Sequence, residues 1–186
     1  MSNRDYASTQ LAKVLTRIQN ACAAAGRDSN SVRLIGASKR QAPELIHAFA
    51  EAGLTDVGEN YLQEAQEKQS QLGNTALEWH YIGQIQSNKC KPIAEHFSWV
   101  HGVDRLKVAQ RLHQHTPTER APLKVLVQIN IDDEQSKAGV SVQQAPDLCA
   151  KISELDKLAL CGLMLIPAPQ PDPERQRATF TQARDL

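Results

Sequence analysis

An α/β fold built on parallel strands is predicted by two features of this 186-residue chain. Six short apolar runs alternate with helix-period segments of about ten residues, the pattern of strands joined by right-handed helical crossovers. Polar and ionisable residues gather just past nearly every apolar run, where a parallel sheet opens its pocket. An open doubly wound sheet and a (β/α)8 barrel both satisfy this pattern. The turn after the first strand lacks G-x-G-x-x-G, so the dinucleotide-binding form of the open sheet has no local support.

The elements follow in order. Leu11, Val14, Leu15, Ile18 and Cys22 recur at helical spacing and Gly26 stops them, which predicts an opening helix over 8–25. Residues 32–37 form a short apolar strand. A helix over 43–52 starts at Pro43, carries Leu45, Ile46 and Phe49 on one face and ends at Gly53. A weak strand at 56–58 precedes a polar helix over 61–72, with Tyr61, Leu62, Ala65 and Leu72 at helical spacing. A strand at 78–82, a helix at 89–97 and a strand at 99–103 come next. A helix over 105–115 sets Leu106, Ala109 and Leu112 on one face. Residues 124–131 are the clearest strand, 146–155 a helix and 158–166 the sixth strand. Pro167, Pro169, Pro171 and Pro173 predict a stiff loop before a last helix around Phe180. The expected organisation is a single domain over 1–186, with βα units over 32–186.

Lys+Arg equals Asp+Glu, so the formal charge is zero and no basic face for nucleic acid is implied. Cys22, Cys90, Cys149 and Cys161 form no C-x-x-C pair, which argues for free thiols rather than a zinc or disulfide framework. No run of 18 apolar residues occurs and Met1-Ser2-Asn3-Arg4-Asp5 has no signal core, so a soluble, cytoplasmic protein without a membrane role is expected.

Lys39 draws attention first, because it sits just past the first strand and before Pro43. A lysine there is expected to bury its stem and present its amine at a pocket mouth. Burial disfavours the ammonium and makes the amine a nucleophile toward an aldehyde; the alternative is a solvated strand-end lysine. Glu59-Asn60-Tyr61 follow the second strand, where Asn60 taken alone reads as a helix N-cap, a role compatible with one in a pocket. His80 on the third strand is read as a hydrogen-bonded core histidine. The Asp132-Asp133-Glu134 run after the fifth strand reads as a solvated loop, too compact for an EF-hand. His113 and His115 at a helix end suit the helix dipole, and no metal site is expected. Met164, on the sixth strand, is either core or pocket lining.

The segments LIGASK, VGENYLQEAQEK, LEWHYIGQIQSNK, VLVQINIDDEQSKAG and CGLMLIPAP occur in one order and spacing. Together they resemble the YggS/PROSC family of pyridoxal phosphate homeostasis proteins, similar in fold to the N-terminal barrel of alanine racemase. The resemblance implies a (β/α)8 TIM-barrel of fold type III, with about six of its eight βα units present here. It implies pyridoxal 5'-phosphate held as a Schiff base on Lys39. Asn60 in GENY matches a position near the cofactor ring, and Met164 in GLM a position lining the pocket. The function it implies is to hold the cofactor and deliver it to apo-enzymes without catalytic turnover, as a monomer. Two alternatives stay open: a racemase-like enzyme acting on amino acids, with Tyr61 and His80 the nearest proton-relay candidates, and a cofactor-free regulatory module.

Two departures from the family pattern stand out. Family members continue into the last two barrel strands, which carry phosphate-gripping segments, as barrels commonly do after strands seven and eight. This chain stops at Arg184-Asp185-Leu186 and is expected to be an incomplete barrel with exposed edges and weakened phosphate anchoring. Gln41 replaces a frequent second lysine, and Gln84 a frequent proline. Lys137 is open between a solvated loop residue and a transient amine acceptor.

Overall fold

A computed structural model describes residues 2–73, 75–134 and 137–186. Gln135 and Ser136, part of the loop after the fifth predicted strand, lie outside the described residues. The elements in chain order are α1 (Asn3–Ala24), β1 (Gly36–Ala37), α2 (Pro43–Glu51), β2 (Asp56–Glu59), α3 (Leu62–Leu72), β3 (Glu78–Tyr81), α4 (Cys90–His96), β4 (Trp99–Val103), α5 (Leu106–His115), β5 (Leu123–Gln128), α6 (Ala145–Ser153), β6 (Leu158–Met164) and α7 (Pro173–Arg184). The hydrogen-bonded strand order is β1-β2-β3-β4-β5-β6. That order has no reversal, whereas a doubly wound sheet reverses at its switch point. Consecutive parallel order is the winding of the barrel class.

The chain divides into two compact units, residues up to Trp79 and residues from His80 onward. In the first, α1 starts at Asn3, five residues before the expected start at residue 8, because Ser2 and Asp5 form a capping box. Ser2 Oγ accepts from the Asp5 N–H at 3.2 Å and the Ser2 N–H donates to Asp5 Oδ2 at 3.3 Å. Leu11 and Cys22 of the predicted stripe are buried, while Val14 and Leu15 remain exposed. Tyr6 of α1 meets Phe49 of α2 edge to face at 6.4 Å between ring centroids. The strand expected over 32–37 shrinks to Gly36 and Ala37, paired with Val57 and Gly58. Its partner β2 begins only at Asp56, and residues 32–35 lie outside any strand. All four residues of β2 are buried, including Asp56 and Glu59. In α3, Leu62, Ala65 and Lys68 are buried, while Tyr61 precedes the helix and is 54% exposed.

In the second unit, β4 and β5 are the centre of a parallel ladder flanked by β3 and β6. Phe97, Val100, Val103, Val108, Leu112, Val125, Val127 and Ile152 are fully buried and form its core. β5 ends at Gln128 rather than at residue 131, because the chain changes partner. Ile129 bridges to Val140, and the Asn130 N–H donates to the Val140 carbonyl at 2.8 Å. Gly139 makes that approach possible. A Cβ there would lie 2.7 Å from Asn130 N, and its φ of +124° is open to glycine alone. β6 ends with Met164, its last ladder partner being Gln128. Pro173 opens α7 rather than closing the preceding loop. Asp172 caps it, accepting from the Glu174 N–H at 3.0 Å.

Candidate functional site

The turn after β1 is where the first unit concentrates its polar chemistry. The Ser38 N–H donates to the Gly58 carbonyl at 2.9 Å and extends the β1–β2 pairing by one residue. The Gln41 N–H then donates back to the Ser38 carbonyl at 3.0 Å, closing a four-residue turn with Lys39 and Arg40 at its centre. Arg40 sits at φ 60°, a left-handed conformation that costs a side-chain-bearing residue about 1 kcal/mol or more. Something must hold the turn in that shape.

The holding group is Lys68 of α3, 4% exposed. An ammonium has three N–H donors, and Lys68 Nζ places one on each of three acceptors at 2.6 Å: the Ser38 carbonyl, Glu59 Oε1 and Glu64 Oε1. Ser38 Oγ donates to the same Glu59 oxygen at 2.7 Å. Glu64 Oε1 also accepts the Arg40 N–H. The peptide group before Lys39 is thus held through its carbonyl, and the one after it through its N–H. Hydrogen bonding from Lys68 first, and from the Arg40 backbone, holds the Glu64 carboxyl below its usual range against a weaker opposing effect of burial. Glu59 is fully buried, and its second oxygen has no partner among the described residues.

Lys39 itself is exposed, contrary to the expectation of a buried stem. Strand alternation explains this. Ser38 turns to the buried side and meets Glu59, whereas Lys39 shares its face with the exposed Ala37. Asn60 follows β2 and does not cap α3. The N-cap position is Tyr61, and α3 has no side-chain cap. Asn60 Oδ1 is instead buried without a hydrogen-bond partner among the described residues, a feature native interiors seldom leave unexplained. Sequence patterning placed Glu59 only as one of the polar residues after the second strand, and it missed Lys68 and Glu64. A signal existed: Lys68 lies three residues after Ala65 and four before Leu72, on the inward stripe of α3, and a charge there demands partners.

The second unit holds Met164, half-buried at the end of β6, with its carbonyl accepting the Ile129 N–H at 2.9 Å. His80 is 1% exposed, with Nδ1 at 2.9 Å from His101 Nε2 and its ring stacked on Trp99 at 5.5 Å. Burial chiefly, and His80 secondarily, pull His101 down to about 4. Lys137 pairs with Glu134 at 2.7 Å and Asp132 at 3.3 Å, which hold its ammonium above the usual lysine range. His113 lies 3.6 Å from Asp156. All four cysteines are free thiols.

Comparison with known proteins matches residues 11–186 to the alanine racemase N-terminal domain family. A protein of Pseudomonas aeruginosa PAO1 named pyridoxal phosphate homeostasis protein is 48% identical over 176 residues, covering 95% of this chain and 76% of its own. Among solved structures, an unknown protein from Bifidobacterium adolescentis superposes with a TM-score of 0.89 at 30% identity, covering 98% of this chain and 78% of its own. PipY of Synechococcus elongatus PCC7942, solved with PLP bound, superposes with a TM-score of 0.76 at 30% identity, covering 90% of this chain and 78% of that one.

Proposed function

The chain belongs to the alanine racemase N-terminal domain family and, within it, groups with the pyridoxal phosphate homeostasis proteins, and from that premise we propose that it binds pyridoxal 5'-phosphate through Lys39. When bound, the cofactor supplies an aldehyde that condenses with the Lys39 amine, forming a C=N bond and releasing water. The residues present fit such a group. Lys39 offers an exposed amine on a turn whose flanking peptides are both fixed. The buried, unpartnered Asn60 Oδ1 after the neighbouring strand β2 is a polar atom awaiting a partner. The resemblance of its GLM segment assigns Met164 a role in lining the cofactor. The PLP-bound PipY structure is the observation that carries this reading.

The role assigned to the protein is to hold the cofactor, keep its free aldehyde from other amines and hand it to apo-enzymes, without turnover. Two observations support the absence of turnover. Tyr61 is 54% exposed, and His80 is buried with Nδ1 committed to His101, so neither resembles a positioned proton donor. No helix among the described residues is long and apolar enough to cross a membrane.

The test is to add pyridoxal 5'-phosphate to the purified chain, record the visible absorbance, reduce with borohydride and map the modified lysine by mass spectrometry. Label on Lys39 that vanishes in Lys39→Ala is the expected result. Label spread over surface lysines, with none favoured, would refute the assignment. Sustained product formation from amino acids would overturn the carrier role in favour of an enzyme.

A further inference from the structure

We infer that Lys68 and Glu64 are positioning residues for Lys39, acting through the backbone of the turn that carries it; the inference rests on the assignment of Lys39 as the cofactor-binding amine. Three observations carry it. First, the two clamped groups are the peptides on either side of Lys39. The Ser38 carbonyl takes a hydrogen bond from Lys68 Nζ at 2.6 Å, and the Arg40 N–H donates to Glu64. Fixing both peptide planes fixes the Cα–Cβ direction of the residue between them, and hence where its amine can reach. Second, the clamp holds a shape the chain does not favour, since Arg40 adopts φ 60° without being glycine or asparagine. Third, the anchor is costly. Glu59, fully buried, keeps Lys68 in place at 2.6 Å and leaves one oxygen unpartnered among the described residues. An ion pair buried with one oxygen left over is poor stabilisation for its own sake. It makes sense where an exact backbone direction is required.

Lys68 does not touch the cofactor amine in this reading. It holds the stem's origin so that an exposed, flexible side chain starts from one direction, which reduces the conformational freedom lost when the amine is captured. The charge pattern also keeps the two lysines distinct. Lys68 Nζ has all three donors engaged by Ser38, Glu59 and Glu64, so its lone pair is unavailable and the aldehyde is left to Lys39.

The experiment compares wild type with three variants. Glu59→Gln/Lys68→Met removes the anchor while leaving no unpaired buried charge. Glu64→Ala removes the acceptor of the Arg40 N–H at a partly exposed position. Val108→Ala perturbs a buried apolar site elsewhere and controls for loss of stability. Folding is checked by circular dichroism and thermal melting. Two quantities are read: hydrogen exchange at the Arg40 amide by NMR, and the dissociation constant for pyridoxal 5'-phosphate from titration of the visible band, with borohydride mapping of the lysine. The expected result is faster Arg40 exchange and about tenfold weaker binding in the first two variants, with Val108→Ala unchanged in both. Faster exchange with wild-type affinity, or unchanged exchange, would overturn the positioning role and leave the Lys39 assignment standing. Wild-type protein that never labels Lys39 would overturn the assignment and the inference with it.

Discussion

Lys68 and Glu59 meet at 2.6 Å in an interior where Glu59 is fully buried and Lys68 nearly so. The pair joins α3 to β2 directly beneath the turn that carries Lys39. Its energetics are asymmetric, because removing one partner strands the other charge away from water. Lys68→Met is therefore expected to lower the unfolding free energy by about 3–5 kcal/mol. The double variant Glu59→Gln/Lys68→Met is expected to recover most of that loss. Urea unfolding of both decides it; a double variant as unstable as the single one would mean the charges were not the issue.

Glu64 ties stability to acid. Its folded carboxyl lies below the ordinary glutamate value of 4.5, first through its hydrogen bond to Lys68. The unfolded chain therefore takes up this proton first as pH falls. The contribution is present above about 4.5 and lost on acidification through the lower folded value. Glu64→Gln should flatten the decline in melting temperature as pH falls below about 4.5. A decline as steep as in wild type would assign that acid sensitivity to other carboxyls.

His101 gives a second and higher window. Its folded value of about 4 lies below the ordinary histidine value of 6.5, so unfolded protein binds the proton first between those values. Stability is then full above about 6.5 and falls toward 4, by an amount on the order of 3 kcal/mol. Burial is the first cause, and the His80–His101 contact at 2.9 Å adds to it. One ring must accept, and two imidazolium rings can only donate. His101→Gln is expected to remove this decline, which denaturant unfolding at several pH values would show.

Asn60→Ala tests the orphaned amide. Its Oδ1 gives up no hydrogen bond among the described residues, so truncation should change unliganded stability by less than about 1 kcal/mol. If Asn60 faces the cofactor, affinity for pyridoxal 5'-phosphate should fall by about tenfold. A large stability loss with unchanged affinity would place Asn60 in the core instead of the site.

Strain at Arg40 can be probed directly. Arg40→Gly should keep the turn, since glycine adopts φ 60° freely. Arg40→Val should destabilise it by about 1–2 kcal/mol, because a β-branched residue resists that conformation. Chemical denaturation of the pair measures the difference, and equal stabilities would show that the turn relaxes without cost.

Much of this was legible in the residues. Val57 on β2, Ile46 on α2, and Leu112 on α5 are apolar at the periodicity of their elements, and each is buried. Trp99–Val103 falls where its apolar run places it. The failures share a cause. β1 is two residues long because pairing depends on where β2 begins, and β5 stops at Gln128 because the chain changes partner there. Asn60 reads as a cap from its residue type, yet backbone geometry gives the cap position to Tyr61.

Local patterning by itself determined the order of strands and helices and the placement of Lys39, Asn60 and Met164 near strand ends. Those are short-range properties, set by side-chain period and chain punctuation. Tertiary structure alone decided that the strands follow in unbroken order, that Lys39 lies on the exposed side, and that Lys68 turns inward to Glu59 and the Ser38 carbonyl. These depend on register between segments far apart in the chain, where one residue of slip exchanges the buried and exposed faces.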